Sequence, residues 1–194
     1  MQTHAVRQAL LIFASLLLLL ISTPAPPIAQ GLHPSSSLAP VPVWVKNEPL
    51  SLAKPEQIAE AREGVIRVLS DQQVRVTGQS TGQSTGQSTE RYFHNAEQII
   101  GQPGIEHASQ LQIEFDPTYQ HLVLHRIQIR RGTQVINALK PREIKFVQQE
   151  SQLEERLFNG TLAALVILND VRVGDVIEYD YSVNGENQIG RAHV

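Results

Sequence analysis

The chain has no cysteine, which removes disulfides, thiolate metal sites, a cysteine nucleophile and a lipidated N-terminal Cys from consideration. Aromatic residues are only 5% of the 194 positions, and no Lys/Arg-rich run occurs, so the footprint of a nucleic-acid binder is missing. The formal net charge of -3 implies no polyanionic partner. The spacing GxSxG occurs only inside the TGQS repeat, at Gly78–Gly82 and Gly82–Gly86, which reads as a loop and not as the strand-to-helix elbow of a hydrolase. The longest apolar stretch, Ala9 to Ile21, is too short to cross ~30 Å of hydrocarbon. What remains is 41% hydrophobic and 18% charged, an ordinary balance for a globular protein and enough for one domain.

Residues 1–31 read as an export signal. Arg7 supplies a positive start, Ala9 to Ile21 the apolar centre, and Ala29-Gln30-Gly31 the small residues a signal peptidase reads, with cleavage expected near Gly31. An uncleaved anchor is the alternative. Residues 32–54 form a proline-rich segment with Pro34, Pro40, Pro42 and Pro49, expected to be extended and irregular because proline fixes φ and withholds an N–H. Trp44 is expected to dock on the folded body; a ligand-stacking role is the sharper alternative.

Residues 55–188 carry the folded domain. Leu165 to Asn187 is its most ordered text. From Ile177 on, apolar Ile177, Tyr179, Tyr181 and Val183 alternate with Glu178, Asp180 and Ser182, the period of a strand with one covered and one wet face. Gly174-Asp175 breaks the run as a tight turn. Pro55 to Arg62 suits a short helix, Val65 to Val76 a strand, and Leu111, Ile113 and Phe115 alternate as another. Gly101-Gln102-Pro103-Gly104 reads as a turn. Leu122 and Leu124 are out of phase with Ile127 and Ile129, which predicts a bulge near His125-Arg126. Further short strands are expected at Val135–Leu139, Ile144–Val147 and Leu162–Leu168, and a helical turn at Ser151–Phe158 ended by Asn159-Gly160. Thr77 to Ser88 repeats TGQS three times and is expected to be a flexible loop at a hairpin tip. Together these elements predict a mainly β fold, an antiparallel β-sandwich with one or two short helices.

Candidate chemistry is sparse. His121 and His125 are four apart, but on a strand they would sit ~13 Å from each other, too far to share one metal ion. His94 and His107 have no supporting spacing. Asp116, Glu150, Glu154, Glu155, Asp175, Glu178 and Asp180 could contain a carboxylate pair for hydrolysis, but a solvated strand face and turn caps is the expected reading. Asn159-Gly160-Thr161 matches a glycosylation acceptor by chance. No catalytic, cofactor-binding or metal-ligating residue is assigned, and no cofactor is implied. If any surface is functional, the best candidates are the turns carrying Arg130, Arg131, Arg172 and Asp175.

Three stretches, IEFDPTYQHLVLHRIQIRRG (Ile113–Gly132), QQESQLEERLFNG (Gln148–Gly160) and LNDVRVGDVIEYDYSVNGEN (Leu168–Asn187), carry a family resemblance. The chain resembles the uncharacterised N-terminal β domain of exported bacterial transglutaminase-like proteins, with VIRVLSDQQVRV as the first strand. The resemblance implies a non-catalytic accessory module in the periplasm or cell envelope, preceding a Cys-His-Asp domain in the same chain. Composition and the short apolar run, for their part, lead to the expectation of no nucleic-acid partner and no integral membrane domain. A free-standing carbohydrate- or peptide-binding domain is the alternative, with Trp44 and Tyr119 as stacking candidates; an independent hydrolase is a third reading. Residues 189–194, IGRAHV, have no apolar period and read as a non-native tail on a truncated fragment.

Overall fold

The computed structural model describes residues 32–81, 84–148 and 160–187. The described residues all belong to the second of the chain's two units, Gly31–Val194. The export segment, the helical turn at Ser151–Phe158 and the tail at Ile189–Val194 lie outside the described residues.

The second unit is built from β1 (Ser36–Leu38), α1 (Pro55–Glu60), β2 (Val65–Thr81), β3 (Ser84–Ile99), α2 (Gln102–Ala108), β4 (Gln110–Phe115), β5 (Gln120–Arg131), β6 (Gln134–Asn137), a 3-10 turn (Pro141–Glu143), β7 (Lys145–Gln148), β8 (Leu162–Ile167) and β9 (Val176–Asn187). A large sheet runs in the order β1-β5-β9-β3-β2, with β6 also paired to β5. A small sheet runs β4-β8-β7. All pairings are antiparallel except β1 with β5. β1 and β6 share one edge of β5, the first beside Leu122–Leu124 and the second beside Gln128–Arg131.

The alternation read in the sequence places the core. Leu111, Ile113 and Phe115 on β4 point one way and are buried, while Gln110, Gln112 and Glu114 are exposed. They meet Leu122, Leu124, Ile127 and Ile129 of β5, Ile177 of β9 and Ile99 of β3 in one cluster, with Ala164 and Val166 of β8. Each buried Leu or Ile contributes about 1.5–3 kcal/mol, so this two-layer arrangement is the chief source of cohesion. The change of phase along β5 is resolved as expected, by a register shift between Leu124 and Arg126 that returns Ile127 and Ile129 to the core face.

Two elements differ from expectation. Gly101-Gln102-Pro103-Gly104 opens a helix rather than closing a turn: Gly101 is the residue before α2, and Pro103 lies in its first turn, where a missing N–H costs nothing. Glycine is required by packing, because a Cβ on Gly104 would lie 1.9 Å from the Gly64 carbonyl oxygen. The TGQS repeat, expected as a loop, has backbone pairing through most of its length. Thr77 pairs with Ser88, and the ladder runs on to Thr81 opposite Ser84. Four residues per repeat place two on each arm, which preserves the period of two.

Residues 32–54 cross the large sheet as a strap. Beyond β1, Ala39 donates its N–H to Leu124 O (3.3 Å), the Trp44 indole N–H donates to Glu90 Oε2 (2.9 Å), Lys46 exchanges two hydrogen bonds with the Gln73 side chain, and the Ala53 N–H reaches Gln98 Oε1 (2.9 Å). The strap thus passes from the β5 edge towards β2, over the face of the large sheet opposite the core.

Candidate functional site

Three of the four residues singled out at the turns come together. Arg131, at the end of β5, makes a bidentate pair with Asp175 (Nε to Oδ1 and Nη2 to Oδ2, both 2.8 Å). Asp175 is buried and also accepts the Arg172 backbone N–H at 2.8 Å. Asp170, with φ at 60°, joins them by accepting from Arg131 Nη1 (3.1 Å) and from Arg172 Nε and Nη2 (2.9 and 2.8 Å). Hydrogen bonds from Arg172 and then Arg131 hold the Asp170 carboxyl below its ordinary range. Bonds to Asp175 and Asp170 hold Arg131 above its own. Gly174 at φ 93° completes the turn, which is tied to the end of β3 by Gly174 N–H to Ile99 O and Ile99 N–H to Asp175 O, both 2.8 Å. Every charge here meets an opposite one, so the cluster clamps the β8–β9 connection.

Arg130 does not join that cluster. It projects from the opposite face of β5 and donates to Glu178 Oε2. There the structure corrects a sequence expectation: the face of β9 carrying Glu178, Asp180 and Ser182 is not wet. Their exposures are 2%, 1% and 0%. The register explains it. His94 of β3 and Arg126 of β5 flank Asp180; Tyr92 and Val123 flank Ser182; Ala96 and Gln128 flank Glu178. Central position between two strands, with long side chains on both sides and the strap above, removes water from a face whose pattern alone reads as solvated.

Glu178 is compensated through both oxygens and Asp180 through Oδ2 alone, its Oδ1 having no partner. Glu178 accepts from His94 Nε2 (2.9 Å), Gln128 Nε2 (2.6 Å) and Arg130 Nε. Asp180 Oδ2 accepts from Arg126 Nη2 (2.5 Å) and the Tyr92 hydroxyl (3.2 Å). Burial by itself would raise Glu178; the bonds from His94, Arg130 and Gln128 and the Arg126 charge overcome it and hold the carboxyl at about 2. Burial, then the neighbouring Asp180 charge, pushes the Tyr92 phenol above the usual tyrosine range. Arg126 Nη2 also lies 3.3 Å from His94 Nε2, but both atoms have carboxylate oxygens as nearer acceptors.

One pair on this face has the form of a nucleophile and base. His125 Nδ1 lies 2.9 Å from Ala39 O, which fixes the proton there, so Nε2 accepts from the Ser182 hydroxyl at 2.8 Å. Ser182 is fully buried beneath the strap, however, and the pair pins Ala39 to the sheet. His121 contacts Ser37 Oγ at 2.9 Å, so His121 and His125 serve separate partners. Among the described residues no group of three or more His, Asp or Glu side chains is placed to hold a metal ion. No helix of the described residues is long and apolar enough to cross a membrane.

Of the two stacking candidates, Trp44 is occupied: Glu90 takes its indole N–H, and the Arg75 guanidinium lies 5.3 Å from its ring centre. Tyr119 is half exposed, at the turn between β4 and β5. The sequence reading missed Tyr92, His94 and Arg126. The signal that could have found them is a second polar alternation, Tyr92-Phe93-His94, in phase with Glu178-Tyr179-Asp180 on a neighbouring strand.

A family described as a domain of unknown function with a solved structure matches residues 86–194. No curated protein matches the chain. A solved structure of a candidate protease from Parabacteroides distasonis ATCC 8503 is similar to 50% of this chain and 20% of its own, at 16% identity and a TM-score of 0.45. This chain therefore spans far less than that structure's full length.

Proposed function

The chain belongs to the DUF3857 family of domains of unknown function, and from that premise we propose that it is a non-catalytic accessory module, which docks or positions material for a transglutaminase-like Cys-His-Asp domain downstream in the same exported protein. The observation that carries the reading is the burial of Ser182, Glu178 and Asp180 in the middle of the large sheet. Ser182 is fully buried and bonded to His125. Glu178 and Asp180 are buried in ion pairs with Arg126 and Arg130. A carboxylate held at about 2 stays ionised near neutrality and offers no proton as a general acid. The strap and the pinned turns make a rigid support. The resemblance of Ile113–Gly132 and Leu168–Asn187 to the N-terminal domains of transglutaminase-like proteins supports this choice of partner and a proposed setting in the periplasm or cell envelope.

The test has two arms. The coding sequence past Asn187 is read for a Cys-His-Asp domain, and the present chain and that domain are expressed separately. The expected result is no amidase or acyl-transfer activity in the chain alone, activity in the downstream piece, and association between them by calorimetry. Turnover by the chain alone, or a coding sequence without such a domain, refutes the proposal.

A further inference from the structure

A cleft of about 380 Å³ opens where the β4–β5 turn faces β9 and the outer part of the β2–β3 hairpin at Ser88. Among the described residues Ser88, Thr118, Tyr119, Gln120, His121 and Asn184 line it, and none of these lining residues is Asp, Glu, Lys or Arg. The volume lies within the range that accepts small ligands. Two features mark it as more than a dent between strands. The Tyr119 ring is half exposed, on a turn too short to cover it. Asn184 Oδ1 is buried and has no hydrogen-bond partner, and buried polar groups in folded proteins are seldom left unpaired.

The turn that presents Tyr119 is stiff. Asp116 Oδ1 accepts both the Thr118 N–H (2.9 Å) and its hydroxyl (2.5 Å). Gln120 Oε1 accepts the Asp116 N–H (2.7 Å), and the Gln120 N–H donates to Asp116 O (2.8 Å). Gly185 of β9 lets the turn approach: a Cβ there would lie 3.2 Å from Tyr119 O. The platform is therefore positioned before any ligand arrives, which reduces the ordering cost of binding.

We infer that this cleft binds a neutral saccharide, its apolar C–H face against the Tyr119 ring and one hydroxyl donating to Asn184 Oδ1. The lining chooses the class. Among the described lining residues an anion would find no Lys or Arg, and a cation no carboxylate. A purely apolar ligand would leave the Asn184 oxygen unpaired. A sugar ring has both the C–H face that suits an aromatic platform and the O–H donor that the orphaned carbonyl lacks. The inference stands apart from the downstream domain, so either can fail alone.

The experiment is calorimetric titration of the full chain with maltotriose, tri-N-acetylchitotriose, triglycine and citrate. Saturable binding of at least one trisaccharide is expected, weakened tenfold or more in both Tyr119→Ala and Asn184→Leu. Asn184→Leu removes an unpaired polar atom, so its thermal midpoint should match or exceed the parent's, which separates lost binding from lost folding. No saturable heat with either sugar overturns the inference. So does sugar binding that survives both substitutions, or triglycine or citrate binding in preference to both sugars.

Discussion

At the residue scale the most consequential side chain is Glu178, a carboxylate placed in the middle of the large sheet. Its burial is tolerable only because His94, Gln128 and Arg130 donate to it and Arg126 lies alongside. Removing one member of such a set strands the others, and hydrogen bonds to charged groups typically carry about 1.5–3 kcal/mol. Glu178→Gln should therefore destabilise the chain by about that amount at neutral pH, read from the urea midpoint. The acid limb gives a second readout. The folded carboxyl sits at about 2 against an ordinary 4.5, so the unfolded chain binds the extra proton. The stability from this group is complete above about 4.5 and is lost as pH falls towards about 2. In Glu178→Gln that part of the acid-induced loss should vanish; parallel acid limbs in parent and variant would contradict the assignment. Gly174 makes a simpler case. Its φ of 93° lies where a side chain is penalised, although no atom lies near its missing Cβ. Gly174→Ala should cost about 1–2 kcal/mol from backbone strain alone, measured by thermal denaturation against Gly78→Ala, which has the same open space and no such φ.

At the scale of elements, α2 and the long hairpin depend on the sequence in opposite ways. α2 is seated by a contact between two glycines, and a Cβ at Gly104 would overlap the Gly64 carbonyl. Gly104→Ala should push α2 off the start of β2 and cost about 1–3 kcal/mol, with faster amide exchange at Ile100 and Gly101, whose N–H groups bond to Gly64 O. The hairpin is tolerant, because a TGQS unit adds two residues per arm and leaves every earlier pair in place. Deleting one unit should change stability by less than about 0.5 kcal/mol, since surface changes away from packed features seldom cost more. The contrast shows what was legible. Elements set by alternation could be read directly: β4, β5 with its bulge, and β9. The GQPG segment could not, because a Pro and two glycines signal a turn by local preference, while its helix is fixed by a tertiary approach to Gly64. The repeat was misread for the same reason, its weak strand preference being overridden by pairing with its neighbour. At the candidate site, Arg172 and Asp175 could be placed from the turn at Gly174 and Arg131 from the separate turn at Gly132, but their meeting could not. The Tyr92, His94 and Arg126 network could not, because alternation gives two faces and does not say that both are covered.

At the scale of the whole molecule, that second covering comes from the strap. The hydrophobic core accounts for one face of the large sheet; the opposite face carries carboxylates, arginines and histidines that the two-layer sandwich leaves uncapped. The strap crosses it with backbone and side-chain hydrogen bonds from Ala39 to Ala53, and His125 fastens it at the β5 end. Each such bond contributes about 0.5–1.5 kcal/mol net, so the strap adds stability without being the source of the fold. A chain beginning at Lys54 should accordingly keep a β-dominated circular-dichroism spectrum while unfolding at a lower temperature. The Leu122 amide, which donates to Ser35 O at 2.9 Å, should lose its protection in hydrogen exchange. Core amides such as that of Ile113 should remain slow until global unfolding, because β4 pairs with β8 in the other layer. Loss of protection in both layers at once would mean that the strap is integral to a single cooperative core, and that the polar face and the hydrophobic one cannot be stabilised separately.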